Sequence, residues 1–255
     1  GRTLDKIFEA GPKKVFGAAA LRAALKEDVE FGVVHSDTTS WSLKGLYESS
    51  SPDDEAFFIA HGYNRDHRPD LKQFNYGLVV NGEGIPLLGY ASDGNESDKV
   101  WNRRVIEELV EGFTDHLTDL VYVADSAAVT KGNLDLIAGK GIRFISRLPA
   151  TFAQEQEVKD RAWSDGGWID VGVLTENPKR DSAFYRYQEY VVDIAAQTAV
   201  RPYRLIVVHS SSLDKRKAKT LEKNLLKQRE ELEAQLEQLS KVEFACEPDA
   251  RAALE

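Results

Sequence analysis

Cysteine is nearly absent from this chain. Cys246 is the only one in 255 residues, and methionine does not occur. A single thiol excludes an internal disulfide framework and fits a reducing compartment. The five histidines are scattered and none lies near Cys246 in sequence, so zinc-ligand spacing is missing as well. No apolar run approaches the about 20 residues that a bilayer span requires. The amino terminus lacks the charged-then-apolar profile of a signal peptide. Neither a glycine-rich phosphate loop nor a nucleophilic-serine motif is present. These absences set aside a membrane protein, a disulfide scaffold, a zinc domain, a P-loop nucleotidase and a serine hydrolase. What they leave is a soluble, cytoplasmic protein.

Basic residues are the minority charge: 33 Lys and Arg against 42 Asp and Glu, a formal net charge of −9. That argues against a uniformly basic nucleic-acid binder but not against a local basic groove around an acidic metal site. With 42% hydrophobic residues the chain can fill one large domain or two small ones. It has no initiator Met, opens within a helical pattern at Gly1-Arg2-Thr3-Leu4 and closes on Ala252-Ala253-Leu254-Glu255 without a stop signal. A piece of a longer protein is therefore expected.

What is present centres on two similar stretches. Val33-Val34-His35-Ser36-Asp37-Thr38-Thr39-Ser40 is an apolar run that reaches a carboxylate, and Leu120-Val121-Tyr122-Val123-Ala124-Asp125-Ser126 repeats the pattern. Each reads as a β-strand delivering one Asp at its end. Two strand-end carboxylates on one sheet suit a hard divalent cation. Turn-starting or helix-capping aspartates are the plain alternative. His35 lies two residues before Asp37 and points to the same side of the strand. It is a packed histidine or an outer partner of a metal ligand.

The remaining elements follow from periodicity. Residues 3–28 read as two helices. Leu4, Ile7 and Phe8 form one face, Pro12 starts the second helix, and Val15, Phe16, Ala19, Leu21, Ala24 and Leu25 form its face. Residues 49–55 are a polar loop and 57–60 a short strand. Residues 62–73, Gly-Tyr-Asn-Arg-Asp-His-Arg-Pro-Asp-Leu-Lys-Gln, are too aperiodic for a core element. They read as surface or as a substrate loop offering Arg65, His67, Arg68 and Lys72 to phosphates. Strands at 74–81 and 85–90 flank an Asn-Gly turn. After a loop in which Asn95 or Ser97 can cap, Trp101, Val105, Leu109, Phe113 and Leu117 mark an amphipathic helix. The strand at 120–125, a helix with Leu134, Ile137 and Ala138 ending at Gly139 or Gly141, and a strand at 142–148 complete the first half. The order β-β-β-α-β-α-β, three antiparallel strands then two parallel additions, is that of a ribonuclease-H-like fold. From residue 151 strand-like runs dominate, at 168–174, 184–192 and 203–209. Residues 212–243 are helix-forming and charged, with Leu225, Leu232 and Leu239 seven apart. The expected class is thus α/β: a ribonuclease-H-like mixed sheet flanked by helices, with a β-rich insertion and a long charged C-terminal helix. The expected segments are 1–30 (N-terminal helices), 31–150 (first part of the core), 151–210 (insertion) and 211–255 (a charged helix that either packs on its own domain or forms a coiled coil, with a homodimer as one outcome; Gln228 and Arg229 weaken its seam).

The strand end at 35–40, the segment 62–73, Gly94-Asn95-Glu96-Ser97-Asp98 and Val123-Ala124-Asp125-Ser126, in this order, resemble insertion-sequence DDE transposases that carry a β-rich insertion before their last catalytic glutamate. Residues 67–73 are the most specific of these. The resemblance implies that Asp37 and Asp125 are two members of a catalytic metal-binding triad serving two Mg²⁺ (or Mn²⁺) ions. It also implies DNA partners, both transposon ends and target, contacted by Arg65, His67, Arg68 and Lys72, a dimer on paired ends, and a bacterial or archaeal cytoplasm. The third member, a Glu on a helix with Tyr, Arg and Lys at fixed spacing, is not found; Glu222, Glu230, Glu231, Glu233 and Glu237 lack that setting. By the family's layout it falls beyond residue 255. The implied activity is metal-dependent DNA cleavage and strand transfer. The alternatives are a nuclease or resolvase on the same fold, and an inactive or domesticated remnant that binds DNA or protein.

Overall fold

A computed structural model describes residues 1–27, 29, 32–48, 57–112, 120–179 and 181–252. The polar loop expected at 49–55, and Phe113 and Leu117 of the expected helix stripe, lie outside the described residues; so do the side chains of Leu21, Ala24 and Leu25. The chain divides into two units. One comprises Gly1–Glu157 with Val192–Tyr203, the other Val158–Val191 with Arg204–Glu255.

The first unit is built on strand β1, Val33–Leu43. Its side chains alternate: Val34, Ser36 and Thr38 are buried, whereas His35, Asp37 and Thr39 are exposed. A period of two is what a strand with one covered face requires. β1 pairs antiparallel with β2 (Lys72–Asn81) along its length, from Val34 opposite Asn81 to Leu43 opposite Lys72. β2 turns into β3 (Pro86–Ser92). The turn is held by the Asn81 side chain, whose Oδ1 accepts from the N–H groups of Glu83 (3.1 Å) and Ile85 (2.8 Å). On the other side β1 pairs parallel with β4 (Val121–Ala124), and β4 with β5 (Arg143–Ile145). The order is β3-β2-β1-β4-β5. The expected succession of three antiparallel strands and two parallel additions is what forms: a five-stranded mixed sheet flanked by helices.

Helix α3, Asp98–Gly112, covers the sheet with Trp101, Val105, Ile106 and Leu109, each at most 2% exposed. These four join Val34, Val79, Leu87, Leu120, Tyr122 and Ile137 in one apolar cluster. Each such side chain contributes roughly 1.5–3 kcal/mol on burial. Gly77 makes the docking possible, because a Cβ there would overlap the Trp101 indole. Trp101 also packs on Tyr90 (centroids 4.6 Å apart) and donates its Nε1–H to Ser36 Oγ at 3.2 Å. Helix α4, Lys131–Lys140, buries Leu134 and Ile137; Thr130 caps its start and Gly141, at φ 68°, its end. Helix α2, Pro12–Lys26, packs against β3 and sets Lys13 in an ion pair with Glu108 and over the Tyr90 ring. The faces expected of the two N-terminal helices are less buried than their patterns suggest. Val15 is exposed on α2, as are Leu4, Ile7 and Phe8 on α1 (Arg2–Ala10). The hairpin tip at 192–203 is tied to α4 by Asp135, which accepts from Arg201 Nη1 (2.5 Å) and from the Thr198 N–H (2.7 Å).

The region read as β-rich from residue 151 opens instead with a helix, α5, Ala153–Asp165. Its sequence is almost wholly polar and buries only Val158 and Ala162, one turn apart, too few positions for a detectable stripe. Strands β6 (Ile169–Val173), β7 (Phe184–Ala195) and β8 (Val200–Ser210) then form a second sheet in that order. In the second unit the buried Gln188 of β7 donates to the carbonyls of Ala162 and Gly166. Arg204 forks onto Glu189 at 2.8 and 2.6 Å. The expected charged helix is α6, Ser211–Leu239, followed by the short α7, Glu247–Ala252. Among the described residues no helix is long and apolar enough to cross a membrane.

The Trp101–Gly77 contact yields a direct prediction. Gly77→Ala should destabilise the protein by about 1–3 kcal/mol, the usual effect of overpacking. The urea midpoint should fall with the slope unchanged.

Candidate active site: two strand-end aspartates and an interlocked loop

Parallel pairing of β1 with β4 runs from Val33 opposite Val121 to Ser36 opposite Ala124. The next residue on each strand is an aspartate. Asp37 and Asp125 therefore leave the same level of adjacent strands, whose axes lie about 4.8 Å apart. β1 continues past this point against β2, whereas β4 stops. It stops because Asp125 turns the chain: its Oδ1 accepts from the Ala127 N–H at 3.0 Å and caps a 3₁₀ turn at Ser126–Ala128. The capping role and the strand-end role thus coexist in one residue. Asp37 Oδ1 accepts from the Thr38 N–H at 2.9 Å and lies 3.6 Å from Arg65 Nη2. Both carboxylates are exposed, and His35 shares their open side of β1.

Beneath the pair lies a polar layer that the sequence reading missed. Thr38 donates through Oγ1 to Asp98 Oδ1 at 2.6 Å. Asn102 donates to the Asp98 carbonyl at 2.7 Å and accepts from the Tyr122 hydroxyl at 2.5 Å. Ser36 receives the Trp101 indole N–H. Ser36, Thr38 and Asn102 are all buried, so these bonds replace lost water. Burial raises the Tyr122 pKa, the nearby Asp125 charge adds to the rise, and a hydrogen bond with Ser36 opposes it. The signal was available: hydroxyl residues at the covered positions of β1, and Asn102 on the apolar side of the Trp101 helix. On β5's exit, Ser146 Oγ donates to the Asp125 carbonyl (2.6 Å) and Arg147 to Ser126 Oγ (3.3 Å).

The segment 62–73 is locked to the loop at 93–96. Ala60 and Gln73 exchange backbone bonds of 3.1 and 2.8 Å. Buried Gln73 donates through Nε2 to the carbonyls of Gly94 (2.7 Å) and Tyr63 (3.2 Å). Asn75 Nδ2 donates to the carbonyls of Asp93 and Glu96. Gly62 and Gly94 are required by space, since a Cβ on either would strike backbone oxygen. Two segments singled out separately in the sequence are therefore one structural unit.

The four basic residues have different surroundings. Arg65 reaches Asp37. Arg68 forks onto Asp70, with Nε–Oδ1 at 2.8 Å and Nη2–Oδ2 at 2.6 Å. Lys72, at the start of β2, donates to the Tyr47 carbonyl at 3.2 Å. His67 is exposed at a tight turn, φ 55°, closed by its N–H on the Asn64 carbonyl (3.1 Å). Asn64 anchors that turn from below, donating to Ser42 Oγ (2.8 Å) and accepting from the Asp66 N–H (2.7 Å). The structure thus brings Arg65 to Asp37, while Arg68 and Lys72 hold the loop. Among the described residues no three His, Cys, Asp or Glu side chains form a metal-binding group.

No protein family and no curated protein matches the chain. Six chains of solved structures do. One is described as the crystal structure of a pre-cleavage Mos1 transpososome, at 11% identity and a TM-score of 0.31. The alignment covers 52% of this chain and 41% of that one.

The Arg68–Asp70 clasp carries a pH prediction. The hydrogen bond from Arg68, aided by its charge, holds the Asp70 carboxyl below its ordinary range. A lowered carboxyl pKa favours the folded loop while the group is ionised. The clasp is therefore complete above the ordinary carboxylate pKa and is lost as pH falls through the lowered one. The Arg68 Nε–H should exchange more slowly than that of free arginine at neutral pH, and this protection, taken relative to free arginine at each pH, should vanish once Asp70 is protonated. Asp70→Asn should expose it at every pH.

Proposed function

We propose that this chain is the core of a metal-dependent DNA phosphoryltransferase of the transposase type, on a ribonuclease-H-like sheet. The observation that carries the reading is the side-by-side exit of Asp37 and Asp125 from β1 and β4, at Ser36 opposite Ala124. The sheet order β3-β2-β1-β4-β5, with β2 antiparallel and β4 parallel to β1, supports the fold assignment. The resemblance of residues 35–40, 62–73, 94–98 and 123–126 to insertion-sequence transposases supports the reaction class.

The two carboxylates suit a magnesium-type cation in kind: hard oxygen donors, both exposed. In each, Oδ1 accepts a backbone N–H, which orients the group and leaves Oδ2 for a ligand. Asp37 and Asp125 would hold Mg²⁺ or Mn²⁺ ions, two by the family's pattern, with water filling the remaining positions. Bound there, the metal supplies Lewis-acid stabilisation of phosphate charge and a more acidic water. The protein's own contribution is alignment. Thr38, Asp98 and Asn102 brace the strand end from behind, and Arg65 sets a fixed positive charge beside Asp37. The reaction is displacement at a DNA phosphodiester: water attacks phosphorus and breaks its bond to O3′, leaving a 5′-phosphate and a free 3′-hydroxyl; that hydroxyl then attacks a second phosphodiester and expels its O3′.

DNA would approach along the open side of the loop at 62–73. Arg65, His67, Arg68 and Lys72 are the proposed backbone contacts, with Arg65 nearest the reacting phosphate. Arg68 serves a phosphate only by sharing the guanidinium that already binds Asp70.

Two measurements test the reading. Mg²⁺ or Mn²⁺ should raise the melting temperature, because it relieves repulsion between the two carboxylates. Asp37→Asn and Asp125→Asn should abolish the rise, and an equal rise in either variant would remove the metal from this site. Arg65→Ala should weaken duplex binding and flatten the dependence of log affinity on log salt by about one phosphate contact. The same slope in Arg68→Ala decides whether that residue touches DNA or only fastens the loop.

A further inference from the structure

Helix α6 presents an apolar stripe that the second unit leaves uncovered. Leu221, Leu225, Leu232 and Leu236 are 61, 56, 59 and 55% exposed. Leu221, Leu225 and Leu232 recur at coiled-coil spacing, with Leu236 flanking them, along a helix of 29 residues, about 43 Å long. Its charges are segregated. Residues 211–229 hold seven bases and two acids, and residues 230–239 hold four acids and no base. This order opposes the helix macrodipole, which favours acids at the start and bases at the end. The internal pairs Lys227–Glu231 and Arg229–Glu233 also run base before acid, the weaker orientation. The pattern therefore does not serve the isolated helix.

We infer that α6 pairs antiparallel with α6 of a second copy of this chain. Antiparallel docking lays the basic half of each helix on the acidic half of the other, whereas parallel docking sets like on like. A two-fold axis between them makes the contact self-complementary and closed. The register that sets Leu221 against the partner's Leu232 also brings Glu222 to the partner's Arg229. Arg229 gives its Nε to Glu233 and has two further nitrogens to offer. In that register Gln228 meets the partner's Leu225 near the axis, a polar position in the seam that selects orientation at some cost in affinity. This inference stands independently of the proposed DNA chemistry.

Sedimentation of the full chain tests it. A monomer–dimer equilibrium should appear at about micromolar concentration and weaken with added salt. Leu225→Glu with Leu232→Glu should raise the dissociation constant about tenfold or more, with helix content by circular dichroism retained because both side chains are exposed. Orientation is read from thiols. Antiparallel pairing keeps the two native Cys246 residues at opposite ends, so mild oxidation should not link them. Asn224→Cys with Glu231→Cys, in a Cys246→Ser background, should cross-link. A chain that stays monomeric at about 100 µM overturns the inference, even if Lys217→Glu weakens DNA binding and so assigns the basic half to phosphate. So does a dimer indifferent to the leucine changes, or rapid Cys246 cross-linking, which would show parallel pairing.

Discussion

The structure depends on the contact of Trp101 with Gly77. The Trp101 indole on α3 can pack this closely on β2 only where the strand has no side chain. That contact sets the height of α3 above the sheet and brings the indole N–H to Ser36. It thereby places Asp98 and Asn102 under the end of β1. Everything proposed for Asp37 and Asp125 rests on this platform, because exposed carboxylates cannot order themselves. Their backbone must be held from behind by groups that are already buried and satisfied.

The candidate site has one rigid side and one conditional side. The rigid side is the β1–β4 pairing and the polar layer beneath it. The conditional side is the loop at 62–73. Its base is locked by Gln73, Asn75 and two glycines without room for a side chain, while its tip is held by surface bonds such as the Arg68–Asp70 clasp. Exposed ion pairs of this kind contribute little to global stability. Their effect is local: they keep the cations in place without burying them. In the second unit, α6 likewise keeps its apolar stripe and divided charge exposed.

Much of this was legible in the residues. The apolar run at 33–34 marks β1 and sets Asp37 on it, but that Ser36 and Thr38 would be covered was not read from it. The Trp101-Val105-Leu109 spacing marks α3, and Asn81-Gly82 marks the turn of β2 into β3. Helix α5 was not legible, because Val158 and Ala162 are its only buried residues and no stripe emerges from two positions. The N-terminal helices erred the other way: Leu4, Ile7, Phe8 and Val15 form a pattern that the described fold leaves exposed. Amphipathic spacing reports what a helix can cover, not whether anything covers it.

The sequence by itself determined the five strands of the first sheet, helices α3 and α4, the two carboxylates, the basic loop and the divided charge of α6, because these follow from local periodicity and residue chemistry; the strand expected at 57–60 is only an isolated bridge of Ala60 to Gln73. Only the tertiary structure decided which groups meet. It set Asp37 level with Asp125, joined the loop at 62–73 to that at 93–96, gave Arg65 to Asp37 and Arg68 to Asp70, and set the Asp98–Asn102–Tyr122 layer beneath them. The reason is that strand register and close packing are long-range properties. They depend on which side chain is missing at Gly77, Gly62 or Gly94 as much as on those present.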